Sequence, residues 1–372
     1  MSLNKFFKKI LRFPKKAEET AGEAIESAED IAGQAAQGVE KAVEKFDEHV
    51  IQRIRDFLAM EASGGIFLML AALGAIIIAN TPLYPFYEYV LDGIKFRIGF
   101  TDYESSFDIG VEKSLRLWIN DGLMVIFFFL IGLEIKHEFR EGELASSERV
   151  MLPAMGAIGG IIVPALIYWY FNAGNTENMQ GWAIPTATDI AFALGVASLL
   201  GSRVPTGVKV LLTAIAVLDD ISAILIIAIF YTSDINLLPL YFSAAAVIGL
   251  ILLSSRNVVS LVPYFLLTAI LWLAVLKSGV HATIAGVIGA MFIPMRDKNN
   301  PSYSPLEKLE TGLHPWVAFA VLPLFAFANS GVPLHSLSLD DLFNPLSMGI
   351  MMGLLIGKPI GIFALIWLTI VS

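Results

Sequence analysis

The chain is predicted to be an all-α polytopic membrane protein with about ten transmembrane helices. Three observations predict it. Apolar residues make up 56% of the 372 positions and charged residues only 16%, where a soluble domain carries roughly 25% charged residues. The mean hydropathy is +0.69. The apolar residues also fall into runs near the length of about 20 residues that a helix needs to cross the hydrocarbon. Cysteine is absent, which excludes disulfides, thiolate catalysis, Cys–zinc sites and Fe–S clusters. The formal charge of -9 argues against nucleic-acid binding.

Charge is unevenly placed. Residues 1–57 hold 10 of the 25 Lys and Arg and 11 of the 34 Asp and Glu. The chain therefore divides into a polar N-terminal arm (1–56) and an apolar body (57–372). Residues 1–16 interleave Phe6, Phe7, Ile10, Leu11 and Phe13 with Lys5, Lys8, Lys9, Arg12, Lys15 and Lys16. This fits a basic amphipathic segment on an anionic membrane surface, or a basic tail without structure. Residues 17–56 begin with Ala21, Ile25, Ala28, Ala32, Ala35, Val39, Ala42 and Phe46 at heptad spacing. Gly22, Gly33 and Gly38 interrupt them, each weakening a helix by about 1 kcal/mol relative to Ala. A polar helical spacer, or a weak coiled coil, follows from that pattern.

The body contains candidate spans near 64–80, 115–135, 150–171, 182–200, 207–231, 238–253, 258–276, 279–293, 314–332 and 346–371. Lys277 and Gly279 divide the apolar stretch 258–293. Loop 82–114 alternates in Lys95-Phe96-Arg97-Ile98 before Gly99, as an external hairpin would. With the N-terminus cytoplasmic, nine basic residues from Lys136 to Lys308 fall in inside loops. Five fall outside, four of them in or beside loop 82–114. The positive-inside rule thus predicts a cytoplasmic N-terminus.

Ionisable residues at the centre of a span are costly, by about 2.5–3.5 kcal/mol on an insertion scale. Each therefore asks for a reason. Asp219 and Asp220 lie within AVLDDISAILIIAIFY. Neighbouring residues point about 100° apart on a helix, so the two can meet different partners within one cavity. Two carboxylates so close do not easily both carry charge, and such a pair can exchange a proton for a hard cation. A helix-anchoring pair is the alternative. In WAIPTATDIAFALG, Pro185 interrupts helical bonding, and Thr186, Thr188 and Asp189 are good N-caps. The segment reads as a broken helix lining a cavity, with Asp189 as ligand, cap or both. Lys358 in GLLIGKPIGIFALIW asks for a carboxylate or carbonyl partner, or it snorkels to an interface. Asp121, beside Asn120, fits a polar pore wall or a packing contact. His281 fits a hydrogen-bonded packing role better than a ligand role. Glu134, Lys136, His137 and Glu138 end the second span, and Glu310 and His314 precede the ninth. They form either a titratable funnel mouth or an ordinary solvated edge.

These stretches carry a resemblance. NDGLMVIFFFLIGLEIK, GWAIPTATDIAFALG, LDDISAILIIAIFYT, LKSGVHATIAGV, LHPWVAFAVLPLFAFANSGV and LLIGKPIG resemble, in order, the NhaA-type sodium/proton antiporters of bacterial inner membranes. The resemblance runs from about residue 57 to the C-terminus and implies electrogenic, pH-regulated exchange of Na⁺ or Li⁺ for protons. It makes Asp220 the main Na⁺ ligand and Asp219 its neighbour, paired with Lys358. Thr188 and Asp189 then belong to the broken-helix site, and Asp121 to the access path. Glu134, Lys136, Glu138, Glu310, His314 and His281 become pH-response residues. Thr311 stands where some relatives have a second histidine. The resemblance further implies a homodimer and no cofactor beyond the transported ions. Members have twelve helices in two inverted repeats, so the second repeat is expected to be incomplete, lacking the last two helices. The competing reading is a truncated, non-transporting interaction protein. An intramembrane aspartyl protease is disfavoured, because Val217-Leu218-Asp219 replaces its GxGD signature.

Overall fold

A computed structural model describes residues 63–99, 110–188, 193, 203–232, 235–336 and 338–371. The amphipathic segment 1–16, the spacer 17–56 and Asp189 lie outside the described residues.

Helix α1 spans Ser63–Ala79. Within loop 82–114, a short helix Tyr84–Glu88 runs into a π turn Tyr89–Gly93. Strands β1 (Lys95–Ile98) and β2 (Val111–Ser114) then pair antiparallel, with Lys95 opposite Ser114 and Phe96 opposite Lys113. Ser114 closes the hairpin and opens the next helix, its hydroxyl accepting from the Leu117 amide at 3.4 Å. That helix, α2, runs Leu115–Arg140 and is widened once by a π turn at Ile119–Leu123. It continues beyond the expected end near 135, through the charged Lys136–Arg140 turn.

Helix α3 (Ser147–Asn172) holds Pro153 and Pro164 inside it. Segment 182–200, expected as a span, begins differently. Asn178–Thr186 is a 3₁₀ run, and Ala187 is extended. The break expected near 185–189 therefore starts at Ala187, and residues 189–192 and 194–202 lie outside the described residues. Helix α4 is Thr206–Phe230, α5 is Leu237–Ser255 and α6 is Val262–Ser278. Gly279 ends α6 in the left-handed region, with φ 84°, where a residue without Cβ is unstrained.

The apolar run after Gly279 is not a full span. Only Ile284–Phe292 is α-helical, about 13.5 Å at 1.5 Å per residue, less than half of a hydrocarbon core of about 30 Å. This half-length helix is α7. Helix α8, Pro305–Asn329, starts at Ser304, whose hydroxyl accepts from the Glu307 amide at 3.1 Å. It carries a π turn at Val317–Val321. Helix α9, Pro345–Val371, is capped by Asn344, which accepts from the Ser347 amide at 2.8 Å. Its π turn, Gly353–Gly357, ends immediately before Lys358.

The core lies between helices. Phe129 and Leu133 of α2 meet Leu250 of α5, Tyr264 and Leu271 of α6, and Ala285 and Ala290 of α7. On another face of α2, Ile131 and Ile135 pack with Ala214, Val217 and Ile224 of α4. The outward surface is apolar too. Leu70, Tyr241, Phe242 and Phe363 are all more than half exposed, the pattern that hydrocarbon solvent accepts and water does not.

Helices α3 and α9 touch backbone to backbone. A Cβ on Gly159 would lie 2.1 Å from the Gly361 carbonyl oxygen, and one on Gly361 would lie 2.1 Å from that of Gly159. Gly357 similarly faces Pro164, and Gly353 faces Pro185. The sequence signal is Gly353-x-x-x-Gly357-x-x-x-Gly361, a spacing that places three glycines on one helix face and lets backbones approach.

Candidate cation site

Three elements meet near the middle of α4. The 3₁₀ run ends at Thr186, and among the described residues no backbone amide ahead of it donates to the Thr186 carbonyl. Lys358 reaches it from α9 and donates to that oxygen. The same ammonium lies 3.0 Å from Asp219 Oδ2, and the two side chains are 10% and 2% exposed. Thr188 Oγ1 donates to the same Oδ2 at 2.5 Å. Lys358 thus points inward, not to an interface. The glycine contacts explain how it gets there: a Cβ on Gly160 would lie 3.8 Å from the Lys358 Cε, so α3 offers the stem a surface with no side chain. The π turn before Lys358 adds one residue to the helical register, turning the lysine by about 100° relative to an uninterrupted helix.

Asp219 keeps one oxygen in reserve. Its Oδ1 is buried and makes no hydrogen bond among the described residues. A buried acceptor without a partner is uncommon and calls for a reason. Here it is one oxygen of a carboxylate whose other oxygen holds an ammonium and a hydroxyl, a donor set of hard oxygens suited to a proton or an alkali cation. Asp220 follows, half-buried, on the adjoining face of α4. Glu134 of α2 lies in the field of Asp220, Glu310 and Glu138, which links this site to the charged end of α2.

That end is a network between helices. Lys136 donates to the carbonyls of Met291 and Ile293 at 2.7 and 2.5 Å, filling the orphan acceptors at the C-terminus of α7. His137 Nδ1 lies 2.9 Å from Glu310 Oε2 on α8. Arg296 binds both Glu141 oxygens, at 3.0 and 2.6 Å, and comes within 4.0 Å of Glu307. This guanidinium holds the Glu141 carboxyl below the usual glutamate value, chiefly by hydrogen bonding. Ligand atoms of His137, Glu141 and Glu307 lie within 4.8 Å of one another, but Arg296 pairs with both carboxylates, so the cluster reads as an ion-pair network. His314 is exposed on α8. His281, also exposed, stands before the start of α7, where its carbonyl accepts from the Ile284 amide at 3.3 Å. The length of α7 therefore separates His281 from the Lys136 cap.

At the hairpin end, Asp121 pairs with Lys113 of β2. The carbonyls of Phe327 and Ala328, at the end of α8, accept from the Tyr87 hydroxyl and from Arg116. Asp121, Asp219 and Glu134 are thus spread between the hairpin end and the opposite end of the bundle, and are not gathered in one pocket.

A family model described as Na+/H+ antiporter 1 matches residues 55–372. The chain belongs to this family. Among curated members, the Na(+)/H(+) antiporter NhaA of Proteus mirabilis is 51% identical over 317 residues, covering 85% of this chain and 79% of that protein. The NhaA of Psychrobacter arcticus is 50% identical over 319 residues, covering 86% and 78%. The NhaA of Shewanella oneidensis is 52% identical over 310 residues, covering 83% and 77%. Membership in the family and the six described helices long and apolar enough to cross a bilayer make the chain a multi-pass inner-membrane protein.

Proposed function

We propose that the chain exchanges Na⁺, or Li⁺, for protons across the inner membrane, electrogenically and under pH control, with Asp219 and Asp220 as the shared binding groups. The observation that carries this reading is the buried Asp219 carboxylate, held at 3.0 Å by Lys358 through one oxygen while the other has no partner among the described residues. A cation that takes the carboxylates displaces the ammonium. The site then holds one positive charge more in a low-dielectric interior, which drives protons off, and two carboxylates and an ammonium can release more than one proton per cation, as electrogenic exchange requires. Exchange of one species for the other follows from that competition. Thr188 orients Asp219, Asp189 serves the same site as a ligand, and Asp121 lies on the access route. Glu134, Lys136, Glu138, Glu310 and His314, with His281 beyond α7, tune the response to pH. The reading includes a cytoplasmic N-terminus, a homodimer in the bilayer, and no cofactor other than the transported ions.

The test is transport by this 372-residue chain in everted vesicles from cells without other antiporters. Vesicles are acidified, NaCl is added and a pH dye is followed. Dequenching is expected for the parent chain and its loss for Asp220→Asn and Asp219→Asn. No NaCl response from well-inserted parent protein would overturn exchange and favour the non-transporting interaction protein.

A further inference from the structure

The hairpin end holds an ion pair that the exchange site does not use. Lys113 on β2 donates to Asp121 Oδ2, and both side chains are only 24% exposed. The two members are held in different ways. Asp121 sits in the π turn of α2, where the widened turn leaves its carbonyl for an outside donor. Trp272 Nε1 of α6 fills that role at 2.9 Å. The preceding Asn120 is bound to Asn329 of α8 by reciprocal amide bonds of 3.0 and 2.7 Å. Three helices therefore fix the carboxylate. The ammonium comes instead from a two-stranded hairpin, tied to α2 through Trp118 Nε1, which donates to the Phe96 carbonyl at 3.0 Å. Arg116, in the first turn of α2, is committed to Asp92 and to the Ala328 carbonyl, while Asp121 pairs with Lys113.

We propose that Lys113 is a tethered competitor at Asp121, occupying the carboxylate that a cation entering from the hairpin end would meet. It thereby sets the apparent cation affinity on that face alone. The inference rests on the exchange reading above for its effect on transport, but the competition itself does not. Ammonium and Na⁺ carry the same charge, so Na⁺ gains Asp121 only by displacing Lys113. In a partly buried pair that displacement is weakly screened by salt. The hairpin thus acts as a selectivity element: its strand register places a cation where a cation would bind.

The full chain in proteoliposomes tests this, with the KM for Na⁺ measured from each face. Lys113→Gln is expected to lower the KM on the hairpin face about tenfold, which corresponds to about 1.4 kcal/mol, and to leave the other face unmoved. Lys113→Arg restores the parent KM, and in an Asp121→Asn background Lys113→Gln produces no further shift. An equal shift on both faces, or none, overturns the proposal. A second readout needs no transport: acylation of the Lys113 amine by an N-hydroxysuccinimide ester, followed by mass spectrometry on the purified chain. Labelling is expected to accelerate in Asp121→Asn, and in NaCl relative to choline chloride. Unchanged rates would refute the competition whether or not the chain exchanges ions. Accelerated labelling in a chain without exchange would support the competition and count against the transport reading.

Discussion

Asp219 and Lys358 pair at 3.0 Å with side chains 2% and 10% exposed, whereas Arg296 and Glu141 pair at 2.6 Å with side chains 33–49% exposed. The shorter bond belongs to the weaker device. An exposed pair exchanges one hydrated state for another and contributes little. A buried pair has already given up its hydration, so each member depends on the other. The first pair also depends on backbone contacts between α3 and α9, while the second joins a helix end to a loop across solvent. The middle of this bundle is therefore held by geometry that tolerates little change, and its charged end by interactions that are readily replaced.

The largest effect should come from removing one member of the buried pair. Lys358→Met leaves the Asp219 carboxylate uncompensated and the Thr186 carbonyl without a donor. A loss of about 3–5 kcal/mol is expected, read as a lowered unfolding midpoint of the purified chain in detergent. Lys358→Met with Asp219→Leu should recover most of it, since no stranded charge remains. A single mutant as stable as the parent would break the comparison.

A smaller effect should follow from separating the helices without touching a charge. Gly361→Ala drives a methyl to within 2.1 Å of the Gly159 carbonyl oxygen. Overpacking of this kind costs about 1–3 kcal/mol. It should also reduce exchange beyond what instability explains, because Lys358 lies three residues before Gly361 and rides on the same contact. Gly74→Ala on α1, where an added Cβ meets nothing within 4 Å, is the control and should leave both the midpoint and exchange near the parent values.

Much of this was legible in the sequence, for a physical reason. Charges inside long apolar runs are conspicuous because hydrocarbon penalises them, and Asp219, Asp220 and Lys358 were singled out on that ground. Pro185 announced a break in the chain. Burial alone does not announce length, so the apolar run 279–293 looked like a span, although only Ile284–Phe292 is helical. Contacts between distant segments left weaker traces. Lys136, grouped by its neighbours with the titratable end of α2, also closes the C-terminus of α7, and no local pattern signals a carbonyl 155 positions away. The spacing of Gly353, Gly357 and Gly361 was readable as a close-contact face. Its partner, Gly159, was not readable, because Gly156, Gly159 and Gly160 on α3 carry no mark of what they face. The π turn that aims Lys358 has no sequence signature here.

The smallest effect is the sharpest probe of the comparison, because its sign with pH is fixed. Arg296 holds the Glu141 carboxyl below its usual value. A carboxyl with a lowered folded-state value contributes stability above its unfolded value, near about 4.3, and loses it as pH falls through the folded value. Glu141→Gln should therefore lower the unfolding midpoint slightly at pH 7, and its difference from the parent should shrink as pH falls below the unfolded value. At pH 7, 1 M salt, with a Debye length of about 3 Å, should also erase the difference. With choline chloride as that salt, so that no transported cation is present, Lys358→Met should keep its penalty, since its pair is buried. If salt at pH 7 erased both differences alike, the Asp219–Lys358 pair would be as open to solvent as Glu141–Arg296, and burial would no longer distinguish the two regions.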